Sequence, residues 1–210
     1  MYSLANTVIQ VPAMIALSVM AIALGGYGIS NYHAAQFLPM LGIYTLTIWS
    51  FECAAELQAI QFGNPLVGML MFMNIWFSSF LFAGVMVPER DVIWPFRLFT
   101  YTLPLRWFLS GAMFIDFKDT TFSGAYPVAT GRGYACPLEG VDDRVCYGYT
   151  GRQVLDSIGA TYKSISSEDT VGMDCLYILI IGLVFKLSAV LLLQLKSLDT
   201  KEIVPAKKAA

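Results

Sequence analysis

Charge is scarce in this chain of 210 residues. Charged residues make up 13% of the sequence and hydrophobic residues 57%, whereas a typical soluble domain has about 25% charged residues. The mean hydropathy is correspondingly high, at +0.62. Such a composition cannot cover a globular surface with charge, which argues against a soluble enzyme, and it excludes intrinsic disorder. The net charge of -2 also gives no basic surface for nucleic acid.

Basic residues are missing altogether from the N-terminal part. No Lys or Arg precedes Arg90, and only Glu52, Glu56 and Glu89 carry charge before it. A membrane-spanning helix needs about 20 mostly apolar residues. The sequence therefore predicts three spans in this part, at about residues 7–29, 35–57 and 66–87.

Two carboxylates fall within the second predicted span. Glu52 and Glu56 are four residues apart and share one helix face. An ionisable residue inside a membrane is a functional candidate by default. Because both lie near the predicted end of the span, we favour a solvated helix end or a contact with a cytosolic partner. A proton relay is the alternative.

The next apolar stretch, residues 92–115, differs from the first three. It contains Pro95, Arg97, Pro104 and Arg106, which make a lipid-exposed span costly. Non-helical backbone is tolerated at membrane depth where protein or water shields it. We therefore predict a re-entrant helical hairpin, which completes a membrane part formed by residues 1–116.

The C-terminal half predicts one more span. A polar loop, residues 117–174, precedes an apolar segment at residues 175–195 and a tail at 196–210 that carries four lysines. The positive-inside rule places this tail in the cytosol and the loop outside, in an extracellular or lumenal space. The N-terminus is then cytosolic if residues 92–115 are re-entrant, and external if they span. Lys186, in the middle of the last span, should face the bundle or snorkel.

The polar loop holds one pair of cysteines, Cys136 and Cys146. An oxidising external compartment favours a disulfide, and closing so short a loop would stabilise the fold by about 2–3 kcal/mol. A metal site is the alternative, but the loop lacks the paired Cys-x-x-Cys or His spacing that zinc prefers. We favour the disulfide and predict no metal.

Motifs for covalent chemistry are missing from the sequence. There is no Gly-x-x-x-x-Gly-Lys-Ser/Thr for phosphate and no Gly-x-Ser-x-Gly nucleophile turn. The one histidine, His33, has no acid or nucleophile near it in sequence. We therefore predict no catalytic residue and no cofactor in this chain, and the remaining classes are transporter, channel, receptor and scaffold.

Several short motifs, taken in order, resemble one family. They match the C-terminal part, helices three to six, of the transmembrane domain of G-subfamily or pleiotropic drug resistance ABC transporters. The first span opens with a Tyr followed by an apolar-x-x-Pro, and an aromatic-Gly motif ends the third. The matching residues are Tyr2, Pro12, Gly25, Tyr27, Phe80, Phe82, Gly84, Pro88, Trp94, Tyr101 and Pro104. Arg106-Trp107 departs from the family pattern, which has a neutral residue and Tyr there.

The resemblance implies an all-α multi-pass membrane protein with four transmembrane helices, a re-entrant hairpin and a disulfide-containing external loop. It implies the permease portion of an ATP-driven exporter for lipid-like or hydrophobic small molecules. ATP and Mg would bind a nucleotide-binding domain outside these residues, and a second transmembrane domain would complete the pump. The family positions place Met73, Phe77 and Phe80 at the substrate cavity and Val85 and Met86 in an apolar plug. Ordinary helix packing explains the same five residues without a ligand.

Other readings of the chain stay open. It is expected to be a fragment of a whole pump; a separately encoded permease and a degenerate subunit are the alternatives. The main competing function is a non-transporting scaffold or regulatory subunit that dimerises with intact transporters, and an unrelated receptor-like bundle is a third. The plasma membrane is the expected location. The end Lys207-Lys208-Ala209-Ala210 resembles a dilysine signal for the endoplasmic reticulum, and a basic tail beside anionic lipid explains it equally.

Overall fold

Three long apolar helices dominate the fold. The computed structural model describes residues 2–25, 34–122, 125–127, 134–135 and 147–208. The long helices are α1 (Tyr2–Ile22), α2 (Ala34–Gln61) and α7 (Val171–Lys208). Within the described residues, three segments are long and apolar enough to cross a membrane: Ala5–Gly25, Gln36–Gln61 and Val171–Leu198. These segments are consistent with an integral membrane protein.

The third predicted span forms a shorter helix than expected. α3 (Pro65–Leu81) has 17 residues and ends six residues before the predicted end at Val87. Its start follows the usual chemistry, because the Asn64 side chain accepts a hydrogen bond from the Leu66 N–H at 3.0 Å and proline occupies the first turn. The helix gives way to a turn over residues 82–88.

The stretch predicted as a hairpin contains two helices. A 3₁₀ turn (Glu89–Asp91) leads to α4 (Arg97–Thr102) and α5 (Pro104–Phe117). The break falls at Leu103, whose backbone is extended at φ -99° and ψ 140°. Steric contact with a following proline disfavours helical backbone at this position, and proline itself suits the first turn of the next helix.

The polar loop is more structured than its composition predicts. It contains α6 (Gly151–Thr161) and two short antiparallel strands, β1 (Tyr126–Pro127) and β2 (Tyr134–Ala135). A capping box starts α6, since the Thr150 hydroxyl accepts from the Gln153 N–H and the Gln153 side chain accepts from the Thr150 N–H. Cys136 and Cys146 lie outside the described residues, so their disulfide stays a prediction.

The core is built around α2, which packs against α1, α3, α5 and α7. Its centre is a cluster of fully buried side chains from these helices: Ile22, Met40, Ile43, Ile115 and Ile178. A second cluster joins α5 to α6 and the segment after it, through Phe114, Leu155 and Ile165. The segment around α6 is therefore packed onto the helices by its own apolar contacts.

Helices α2 and α7 run in the same direction. Gly182 of α7 lies against Trp49 of α2, so closely that a Cβ on the glycine would sit 2.5 Å from the indole ring. Further along both helices, Lys186 bonds Glu56, and Lys196 donates to the Gln61 carbonyl at 3.3 Å. Because contacts advance along both helices together, the ends of α2 and α7 lie on the same side of the molecule.

Candidate functional site

The residues predicted to contact substrate lie on the uncovered face of α3. The exposed fractions of Met73, Phe77 and Phe80 are 47%, 56% and 40%, and their spacing of four and then three places them on one side of the helix. Phe80 also stacks on Trp76 with ring centroids 6.4 Å apart. The opposite side carries small buried residues, of which Gly68 lies against the backbone of Gln58 in α2. We call the exposed set Met73, Trp76, Phe77 and Phe80 the α3 face.

The two predicted plug residues, Val85 and Met86, lie beyond the end of α3 in the turn over residues 82–88, and both are exposed. Gly84 within this turn has φ +87°, a backbone conformation that favours glycine. The Ser164 hydroxyl donates to the Gly84 carbonyl at 3.3 Å. The turn is thereby attached to the segment that joins α6 to α7.

A buried acid directly after this turn is held by two arginines. Glu89 is only 4% exposed. Its Oε1 accepts from Arg97 Nη2 at 2.8 Å and from the Tyr101 hydroxyl, and its Oε2 accepts from Arg106 Nη2 at 2.9 Å. The side chain of Arg106 is 10% exposed and that of Arg97 is 45% exposed. We call these four residues the Glu89 network.

The Glu89 network joins the turn to both α4 and α5. Burial by itself raises the pKa of Glu89, but the hydrogen bonds from Tyr101 and Arg97 and the charge of Arg106 outweigh it and hold the pKa below its ordinary value of 4.5. The Arg106 guanidinium also lies over the Tyr101 ring, 4.3 Å from its centroid. Trp107 donates from Nε1 to the Tyr101 carbonyl at 3.2 Å. Glu89 therefore stays ionised, and the connection survives at neutral pH.

Reasoning from the sequence identified both arginines as costly in an apolar segment but missed their partner. Glu89 lies eight residues before Arg97 and seventeen before Arg106, separations that match no helical or strand pairing rule. The departure of Arg106-Trp107 from the family pattern is the one signal that pointed here. In this structure both side chains take part in the contacts around Tyr101.

A second buried charge cluster joins α2 to α7. Lys186 Nζ donates to Glu56 Oε2, with the two side chains 9% and 11% exposed. The prediction that Lys186 faces the bundle is confirmed. The prediction that Glu52 and Glu56 reach interfacial water is wrong, because α2 continues to Gln61 and both Glu52 oxygens are buried inside the protein.

Among the described residues, no group of three or more His, Cys, Asp or Glu side chains is arranged to hold a metal ion. Neither the scan against protein-family models nor the search of curated proteins gave a match to this sequence. The fold and composition define the class of this protein, which is a helical protein whose apolar helices suit a membrane.

Proposed function

We propose that the chain is the permease portion of an ATP-driven exporter that moves lipid-like or hydrophobic small molecules. The observation that carries this proposal is the α3 face, whose four exposed side chains are methionine or aromatic, whereas the exposed side chains of α1 and α7 are mostly aliphatic. Contiguous exposed apolar surface of this kind marks sites for partners, membranes or ligands. Met and aromatic side chains provide large, adaptable contact area for substrates of varied shape.

In the proposed assembly, the α3 face meets the same face of a second transmembrane domain, and substrate occupies the space between them. Val85 and Met86 then form the apolar plug at the external end. A nucleotide-binding domain outside these residues binds ATP and Mg and drives closure. No phosphate-binding loop occurs within the 210 residues, so energy has to come from that domain.

The topology of this proposal has four spans, with α3 as the third and α4–α5 as a re-entrant hairpin. The parallel direction of α2 and α7 supports it. A single return crossing by α3 places the start of α7 on the opposite side from the end of α2, as the contacts require. A further complete span between α3 and α7 would make α2 and α7 antiparallel. With the lysine-rich tail in the cytosol, the N-terminus is cytosolic and the Cys136–Cys146 loop is external.

The test is transport by the assembled pump. We would co-express the chain with a nucleotide-binding domain, reconstitute the complex in vesicles, and compare Phe77→Ala with Leu187→Ala. Both residues are exposed by more than half, but Leu187 is on α7, away from the α3 face. Phe77→Ala is expected to lower substrate-stimulated ATPase activity and transport several-fold, and Leu187→Ala to leave both unchanged. Unchanged transport of several substrates by Phe77→Ala contradicts the proposed cavity.

The second candidate is a regulatory subunit that dimerises with an intact transporter through the α3 face. The same uncovered surface supports it, because that face fits a partner helix as well as a substrate. Co-expression with an intact pump distinguishes the two. A regulator lowers export in proportion to its expression and does so without a nucleotide-binding domain, and a permease portion restores export only when that domain is supplied. The plasma membrane is the proposed location of either, and the endoplasmic reticulum is the alternative.

A further inference from the structure

The cluster of Glu52, Glu56 and Lys186 has more acceptors than its charges can satisfy. Lys186 bonds one oxygen of Glu56. The other oxygen, Glu56 Oε1, and both oxygens of Glu52 are fully buried without a hydrogen-bond partner among the described residues. Three orphan carboxylate oxygens in one place are costly, since a buried charge is retained in proteins only when it is paired and hydrogen-bonded.

The charge of the cluster does not balance either. Two carboxylates face one ammonium, which leaves one negative charge in excess. Glu52 lies nine residues, about 13 Å of helix, before the end of α2 at Gln61. In a helix that crosses a membrane, this depth removes the Glu52 carboxylate from water. The neighbouring Cys53 thiol is buried and supplies no charge to the cluster.

Among the described residues, the other charged groups lie too far from the cluster to supply the missing cation. The segments of α1 and α3 contain no charged residue. On α5, Arg106 is bonded to Glu89. At the start of α7, Asp174 lies near Gly111 of α5, and Gly111 packs on Ile43 of α2. Ile43 is nine residues, about 13 Å of helix, before Glu52, so Asp174 is separated from the cluster by that length. Asp116 of α5 lies near Tyr44, the residue after Ile43, and is separated from the cluster in the same way. At the other end, Lys196 donates to backbone carbonyls at the end of α2.

We propose that this cluster is a binding site for one proton, carried on Glu52 at neutral pH. The added proton converts the Glu52 carboxylate to a carboxylic acid, whose O–H donates to Glu56 Oε1 one turn further along α2. The spacing of four residues places the two groups on the same face. Glu56 then accepts from Glu52 on one oxygen and from Lys186 on the other, and the cluster becomes neutral. The site depends on no transport activity, so its test is separate from that of the exporter.

The experiment is infrared spectroscopy of the full chain in lipid nanodiscs near neutral pH. The expected result is a carboxylic-acid carbonyl band that shifts in D₂O, disappears in Glu52→Gln and persists in the control Glu168→Gln, whose side chain is exposed on a loop. An Asp174→Asn variant identifies any band from that buried acid. In Lys186→Met, Glu56 loses its counter-charge and takes up a second proton, so the band area should about double.

Several outcomes would overturn the site. A band unchanged in Glu52→Gln at neutral pH shows that Glu52 is ionised. If Glu52→Gln does not fold, the wild-type chain labelled with ¹³C at glutamate carboxyls provides the answer, since an acid band that fails to shift on labelling belongs to no glutamate. A thermal midpoint that rises when Na⁺ or K⁺ replaces N-methylglucamine at constant ionic strength indicates a bound alkali cation and also rejects the proton.

Discussion

Removing Glu89 is expected to destabilise the protein through the arginine that stays buried. In Glu89→Ala the guanidinium of Arg106, whose side chain is 10% exposed, loses the carboxylate that bonds it and keeps only the more distant Asp174 carboxyl among the described acids nearby. Leaving one member of a buried ion pair unpaired costs about 3–5 kcal/mol. For a chain of this length, about 1 kcal/mol shifts the thermal midpoint by about 2–4 °C, so a decrease of about 6–20 °C follows. Arg97 is 45% exposed, so Arg97→Met should lower the thermal midpoint far less than Glu89→Ala.

The assay is thermal unfolding of the purified chain, followed by tryptophan fluorescence in one detergent. Arg90→Met is the matched control, because Arg90 is exposed and pairs with the neighbouring, equally exposed Asp91. The double variant Glu89→Leu/Arg106→Met removes both buried charges and should recover much of the loss. Equal losses in Arg97→Met and Glu89→Ala, or a double variant as unstable as the sum of its single changes, would refute the reasoning.

Three further predictions concern stability, and each is measured as a thermal midpoint. Because the pKa of Glu89 is lowered in the folded state, its ionisation contributes stability above the ordinary pKa of 4.5, and this stability is lost as the pH falls through the folded-state pKa. Glu89→Gln should therefore make the thermal midpoint fall less steeply with decreasing pH. An unchanged acid dependence of the midpoint contradicts this. Gly84→Ala places a non-glycine residue at an unfavourable φ and brings its Cβ to 2.6 Å from the Ser164 hydroxyl, so it should destabilise the fold by about 1–3 kcal/mol. Gly63→Ala is the control and should leave the thermal midpoint unchanged, because the space around Gly63 is open. Gly182→Leu should separate α7 from α2 and destabilise the fold by about 1–3 kcal/mol through overpacking. Gly172→Leu is the control and should have little effect, because nothing lies within 4 Å of a Cβ at that position. Similar losses of stability in both variants would argue against close packing of the two helices.

Local patterns were enough to locate four apolar helices. Runs of apolar residues marked α1, α2, α3 and α7, because an apolar segment of that length has few alternatives to a helix in a membrane. The boundaries were less accurate: α2 continues four residues past the predicted end, and α3 stops before Gly84, where the backbone turns. The capping box of α6 is a local signal as well, since Thr150 and Gln153 have the required spacing of three residues.

The sequence by itself indicated the class of this protein, since 57% hydrophobic and 13% charged residues favour apolar helices that suit a membrane. Tertiary structure alone decided which charges are neutralised and by what. Glu56 and Lys186 are 130 residues apart in the chain, and Glu89 and Arg106 are 17 residues apart, with α4 between them. Pairings of this kind depend on how helices pack in space, and no local periodicity encodes them.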